Sequence, residues 1–407
     1  MSELEKWFEI FSEIGRAEGG GYYRGSYTPE EAELCRHLSA WMKNAGLEVR
    51  RDAAGNLWGR IEGTDKTALP VVVGSHIDSV RNGGNYDGIF GVLGGLAAVK
   101  TLIEKHGRPK NTLELAAFTG EEGSRFSIGL MGSHAAAGTL PQTFIEKTDS
   151  DGVSITEAMA KVGLDASKIS EAVRGKHKAY LEMHIEQGPM LENAGIPIGI
   201  VDSIVGTQQF HVTMRGVAGH AGTVPMAMRK DPMIYAARAI TRFPQIAINS
   251  GDGVITVGRI WTKPDAENVI PSEVTFTVDL RHPIEGIKRE MADAVKAVCE
   301  EEARPSGLEM VWAEYPNNLA IDMEPRFKAI IEESCRELGY DYMHMPSGAG
   351  HDTLNMVKLG PVAMIFIPCR GGRSHCPEEY ASPEEIQRGV DVMERCLYKL
   401  AYEDRTE

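Results

Sequence analysis

No apolar run in the chain approaches the ~18 residues that crossing a bilayer requires, and the opening stretch, Met1 to Ile14, alternates charged and apolar residues as an amphipathic helix does. A membrane partner is not expected, and neither a signal peptide nor an anchor is read there. Cysteine is sparse and scattered: Cys35, Cys299, Cys335, Cys369, Cys376 and Cys396 form no C-x-x-C pair and no framework spacing. That excludes a disulfide scaffold and favours free thiols in a reducing compartment, so a cytoplasmic location is expected. Positive charge is in deficit, with 43 Lys and Arg against 58 Asp and Glu for a net charge of -15. Such a field repels phosphate backbones, and no nucleic-acid partner is expected. Internal repeats and low-complexity stretches are missing as well.

What is present is the composition of a folded chain. Its 407 residues are 42% hydrophobic and 25% charged, outside the disordered range and, at roughly 150 residues per domain, enough for two or three. Before residue 203 and after about 317, short continuous apolar runs (Val71 to Gly74, Glu114 to Phe118, Ala179 to Met183, Val362 to Ile367) read as strands covered on both faces. Helical segments at Thr28 to Asn44, Ile89 to Lys105 and Ser382 to Leu400 lie between them, with Gly46 and Gly107 where C-caps are expected. The fold class is therefore α/β, a mostly parallel sheet with helices on both faces.

The middle of the chain has a different period. Phe210, Val212 and Met214 alternate with polar residues, as do Val274, Phe276, Val278 and Leu280, which predicts an antiparallel sheet with one wet face. Helices at Asp231 to Phe243 and Glu285 to Ala303, with strands at Val254 to Trp261 and Leu308 to Ala313, complete a β-α-β-β-α-β order. This is a ferredoxin-like insert. The expected division is a main domain at 1–205 and 317–407, interrupted by an inserted domain at 206–316.

Chemistry concentrates just beyond the C-terminal ends of the main-domain strands, where open α/β sheets form their crevices. His76 follows the first run as a candidate ligand, with Asp78 placed to accept its other ring N–H; a surface histidine is the plainer alternative. Asp87 lies in a glycine-rich turn, either capping the next helix or, with its two oxygens, bridging two cations. Glu121 and Glu122 are adjacent carboxylates whose charges are costly to hold together without a cation, unless they form a solvated turn countered by Arg125. His184 and His375 follow the last two strands. Together His76, Asp87, Glu122, His184 and His375 make two three-ligand sets if Asp87 is shared, the arrangement of a dinuclear hydrolytic centre. Cys376 beside His375 reads as a small buried thiol before it reads as a ligand.

The stretches GSHIDSV, GGNYDGIFGV, EEGSRF, HIEQGP, GHAGTVPM, NVIPSEV, GAGHDT and SHCPEE, spanning about residues 74 to 380, resemble in their order the hydantoinase/carbamoylase branch of the M20 metallopeptidase-like amidohydrolases. The resemblance implies that His76, Asp87 and His184 bind one divalent metal, that Asp87, Glu122 and His375 bind another, and that Glu121 is the general base acting on a metal-bridging water. Two ions per subunit are implied, zinc first, with manganese, cobalt or nickel as alternatives. It also implies a homodimer through the inserted domain, with His220 reaching the partner subunit's site to polarise the scissile carbonyl. Asn268 and Arg281 would hold a substrate carboxylate, Gln208 would meet the ureido group, and Gly350 and His351 would wall the site. Each has a structural alternative: a turn for His220 and Asn268, an outward salt bridge for Arg281, a loop for the Gly350-His351 stretch.

The implied substrate is a small ureido compound with a carboxylate, an N-carbamoyl-L-amino acid ranking ahead of allantoate or a β-ureidopropionate. Arg373, ahead of Ser374-His375, either favours a second anionic group or pairs with Glu378 or Glu379. A metallopeptidase of the same superfamily and a catalytically silent binding module are the readings of another class; the presence of Glu121 with all five ligands argues against the silent one.

Overall fold

The computed structural model describes residues 1–405, and these divide into two compact units, one of Met1–Asp202 with the segment from Met323 onward and the other of Ser203–Asp322. In the first, strands 48–51, 57–61, 113–118, 71–76, 179–185, 362–367 and 198–204 lie side by side in that order, and 342–347 also pairs with 198–204. The central four, Leu113–Phe118, Val71–His76, Ala179–Ile185 and Val362–Ile367, are parallel, and antiparallel pairs flank them. All residues of these four are buried, which is why their sequences run apolar without alternation.

Helices cover both faces. Pro29–Asn44 starts on the Thr28 side chain, which accepts the Glu31 N–H, and Pro383–Ala401 starts on a Ser382–Glu385 capping box, each with proline where its missing N–H costs nothing. Helix Ile89–His106 sits hard against the sheet: a Cβ on Gly91 would lie 2.3 Å from the Met183 carbonyl. On the other face Met131–Ala137 and Thr353–Met356 pack on the strands. Among the described residues no helix is long and apolar enough to cross a membrane.

In the second unit, strands 260–263, 273–282, 206–215 and 309–314 form an antiparallel sheet in that order, with 254–256 also on 273–282. Phe210, Val212, Met214, Val274, Phe276, Val278 and Leu280 face a core shared with helices Pro232–Ile240, Phe243–Ser250 and Glu285–Ala303. The β-α-β-β-α-β order is present with two local differences. The strand expected at Val254 to Trp261 is broken between Thr256 and Ile260, where the Arg259 amide donates instead to the Thr277 hydroxyl. The helix expected to run to Phe243 stops at Ile240, and a new one begins at Phe243 with Pro244 in its first turn, where an interior proline could not continue the earlier ladder.

Candidate metal centre

The C-terminal ends of the four parallel strands deliver one cluster. His76 ends its strand, His184 lies one residue from the end of the next, and Glu121 and Glu122 follow Phe118 through a turn. Asp87 precedes helix Ile89–His106, and His375 stands in the loop after Ile367. Asp87 turns its Oδ1 to His76 Nε2 at 3.3 Å and to His184 Nε2 at 3.1 Å, and its Oδ2 to His375 Nε2 at 3.5 Å. Glu122 Oε2 is 3.4 Å from the same His375 nitrogen. Ligand atoms of His76, Asp87 and His184 fall within 4.8 Å of one another, as do those of Asp87, Glu122 and His375, and a third overlapping group joins His76 to Glu121 and Glu122.

The imidazoles are held in the tautomer that ligation needs. His76 Nδ1 lies 3.1 Å from the Asp78 backbone carbonyl and 3.6 Å from the Asp78 carboxylate, so its closer acceptor is the main chain. His184 Nδ1 lies 2.9 Å from the Ile185 carbonyl, and its Nε2 accepts the Gly88 N–H at 3.1 Å. Each ring thus has Nδ1 against a main-chain carbonyl and Nε2 on the side of Asp87. Gly88 has φ +65°, and a Cβ there would lie within 2.5 Å of the His76 ring, so no larger residue fits. The Asp78 carboxylate instead accepts the backbone N–H groups of Glu121 and Glu122 at 2.9 and 3.2 Å, fixing the turn that carries both acids.

The charges do not balance without a cation. Burial first, and then neighbouring Glu122, Asp352 and Asp78, hold the Glu121 carboxyl well above the usual range against the pull of His76; burial and Asp87 push Glu122 up to about 8. Against its own burial, the charge of His184 holds Asp87 well below that range. The hydrogen bond to Asp87 lifts His375 to about 9. Glu122 Oε1 is buried and has no hydrogen-bond partner among the described residues. An orphaned carboxylate oxygen beside imidazole Nε2 atoms and a two-faced aspartate fits a pair of divalent cations.

His351 is buried with its ring centroid 4.5 Å from that of His184 and its Nε2 2.9 Å from the Ser347 hydroxyl; Gly350 beside it is exposed. In the second unit His220 pairs with Val269 on a two-stranded ribbon, and the Ala221 N–H donates to the Asn268 carbonyl, so His220 and Asn268 lie at the same end of that ribbon on opposite strands. Gln208 and Arg281 sit on neighbouring strands, with Gln208 opposite Leu280 and Thr207 opposite Arg281. Arg281 Nε donates to Asp279 at 2.7 Å. Arg373 lies 3.9 Å from Glu378, both well exposed.

Three further residues shape the cluster without having been singled out by the sequence. Gln187 Nε2 and the Ser374 hydroxyl each lie 2.6 Å from Asp87 Oδ2, and Glu379 accepts the N–H groups of Tyr86 and Asp87 at 2.8 and 3.0 Å. Gln187 and Glu379 lie inside the HIEQGP and SHCPEE stretches, which is the signal that could have found them. Gln187 and His375 have φ of 58° and 57°, a region costly for residues other than glycine and frequent at functional sites.

Residues 72–399 match the model of peptidase family M20/M25/M40. The chain belongs to this family. Among its relatives, an N-carbamoyl-L-amino acid amidohydrolase of Geobacillus stearothermophilus is 40% identical, the alignment covering 96% of each chain. An allantoate amidohydrolase of Bacillus subtilis is 37% identical over 98% of each. A crystal structure of an amidase of the hydantoinase/carbamoylase family from Burkholderia multivorans superposes with a TM-score of 0.90 at 33% identity, covering 97% of this chain and 96% of that one. The M20 assignment accords with the layered α/β architecture and with an inserted second unit.

Proposed function

We propose that the chain hydrolyses a ureido C–N bond, converting an N-carbamoyl-L-amino acid and one water to the L-amino acid, ammonia and carbon dioxide. The observation that supports this most is the shared carboxylate, one oxygen of Asp87 facing His76 and His184 and the other facing His375. Divalent ions held by these residues and Glu122 would supply Lewis acidity and a water that ionises near neutral pH. Zinc is the expected ion; manganese, cobalt and nickel suit the same donors.

Glu121 is the general base. Its buried carboxylate has a raised affinity for protons; it takes one from the attacking water and returns it to the leaving nitrogen. Asp78 holds it in place through the two backbone N–H groups. His220 Nδ1 accepts the Gly222 N–H at 2.9 Å, which leaves the ring proton on Nε2, free to donate to the oxyanion that develops on the carbamoyl carbonyl. We assign it that role in trans, across a homodimer formed through the inserted unit. Arg281 and Asn268 bind the substrate carboxylate, Arg281 leaving Asp279 to present its planar fork. Gln208 meets the ureido group, and Gly350 and His351 wall the pocket. The enzyme acts in the cytoplasm.

Allantoate is the second substrate reading, supported by the near-equal identity to the Bacillus subtilis allantoate amidohydrolase. Release of ammonia from N-carbamoyl-L-methionine and from allantoate, and of free amino acids from dipeptides, each with added zinc, manganese or cobalt, tests both. Turnover of the carbamoyl amino acid is expected to lead; faster allantoate turnover selects the second reading, and dipeptide cleavage without ureido cleavage overturns both.

A further inference from the structure

The four parallel strands that end at the metal ligands begin at a second cavity of about 220 Å³. Val72, Glu114, His177 and Leu359, each at or just before the start of one of these strands, line it, so it lies at the end of the sheet away from His76 and His184. Its wall carries Arg60, Arg174 and Lys176, and Glu114 is the one acid lining it among the described residues. Glu114 is buried and takes both guanidiniums, Arg60 Nη1 at 2.6 Å and Arg174 Nη2 at 2.7 and 2.6 Å. Glu62, outside the cavity, takes the rest of Arg60.

Two cations make no direct ion pair among the described residues. Lys176 Nζ donates to the Lys358 carbonyl at 2.7 Å, a neutral partner. Arg50 lies over the Trp58 ring that lines the same cavity, and burial together with repulsion from Arg174 lowers its proton affinity against the attraction of Asp52 and Glu114. In a chain of net charge -15 this is a local excess of positive charge that an anion would relieve. His177 points the same way: it is 3% exposed, and its Nε2 has no hydrogen-bond partner among the described residues. A buried ring nitrogen without a partner costs free energy unless a ligand or water supplies one. Met356 and Leu359 make the remaining wall apolar.

We propose that this cavity binds a small organic carboxylate, its anionic end toward Lys176 and His177 and its apolar body against Met356 and Leu359. A single carboxylate matches the modest charge excess, and the apolar wall disfavours a bare inorganic anion.

Calorimetric titration of the metal-loaded enzyme with benzoate and, separately, with inorganic phosphate tests this. Benzoate is expected to bind, phosphate at least about tenfold more weakly, and Lys176→Glu to weaken benzoate by about tenfold or more. Lys176 is exposed, so that variant is expected to keep its melting temperature and its turnover. His177→Phe, which keeps ring bulk but removes Nε2, is expected to weaken benzoate by several-fold. No benzoate heat, equal affinity in wild type and Lys176→Glu, or phosphate binding as tight as benzoate would each overturn the proposal. Equal affinity would mean that the carboxylate sits elsewhere, for instance among the metal ligands.

Discussion

His76 and His184 are almost fully buried on adjacent strands, and each has its Nδ1 against a main-chain carbonyl. His375 shares Asp87 with them but stands 50% exposed on a loop, at a left-handed φ, with its Nε2 reaching only carboxylates and the Gln187 amide. One candidate ligand set is therefore built into the sheet, and the other is assembled from turns around it. Strand geometry fixes a side chain through a ladder of backbone bonds, whereas a loop ligand depends on the few bonds that hold its loop. The buried set should be rigid and costly to disrupt, and the half-open set adaptable and cheaper to lose.

The largest expected effect tests whether Glu121 stands apart from both sets. Glu121→Gln keeps size and hydrogen-bonding capacity but cannot hold the proton, so turnover should fall by about 10²- to 10⁴-fold with both metals retained. Rate assays paired with elemental analysis check this. Loss of metal along with the rate would make Glu121 a ligand, as its membership of the group with His76 and Glu122 allows, and would blur the division.

Next in size is the pair His184→Ala and His375→Ala. Removing His184 leaves Asp87 fully buried beside a vacated partner, and destabilisation of about 3–5 kcal/mol is expected in urea melts of metal-free protein. Removing the half-exposed His375 should cost about 1 kcal/mol or less, because solvent screens its pair with Asp87. Equal losses would erase the difference between the sets.

The half-open set also predicts a pH slope. His375 binds its proton more tightly folded (about 9) than at its ordinary 6.5, and Glu122 does the same at about 8 against 4.5. Folded metal-free protein thus holds more protons than unfolded chain between these limits. Its stability should fall as pH rises from about 4.5 through about 9. Divalent metal displaces those protons and binds more tightly as pH rises, so the slope should flatten or reverse in the loaded enzyme. Urea midpoints across this range, with and without zinc, measure it; a flat metal-free profile would contradict the charge imbalance at Glu122.

What the sequence made legible follows the same line. His76, Glu121, Glu122 and His184 could be found because each ends or directly follows an apolar run that only a buried strand accommodates, and strand ends in such sheets converge. Asp87 was readable from the glycines beside it, which permit the Gly88 conformation against the His76 ring. Gln187, Ser374 and Glu379 lie inside the HIEQGP and SHCPEE stretches, but their roles were not legible, because their bonds to Asp87 and its backbone depend on the left-handed turns at Gln187 and His375, which neither residue type announces. Asp78 shows the limit at finer scale: a carboxylate two residues from His76 suggested an acceptor for its ring, yet the main-chain carbonyl is nearer and the carboxylate serves the Glu121 turn. The Arg281–Asp279 pair was closer to hand, since residues two apart on a strand share a face. The break in the strand after Thr256 has no sequence signal as clear.

The smallest expected effect bears on those unannounced residues. The Ser374 hydroxyl lies 2.6 Å from Asp87 Oδ2, the oxygen turned to His375, and 3.0 Å from Glu379 Oε2, so it links the orientation of Asp87 to a buried carboxylate that also holds the Asp87 backbone. Ser374→Ala removes one hydrogen bond, worth about 1 kcal/mol. It should leave the fold intact and weaken retention of one metal by about tenfold, as loss of an outer hydrogen bond to a ligand does. The other metal should stay, because Oδ1 keeps its contacts with His76 and His184. Chelator competition followed by elemental analysis separates the two ions. Loss of both in step would mean that the shared aspartate moves as one body and that the sheet-built and loop-built halves are a single site.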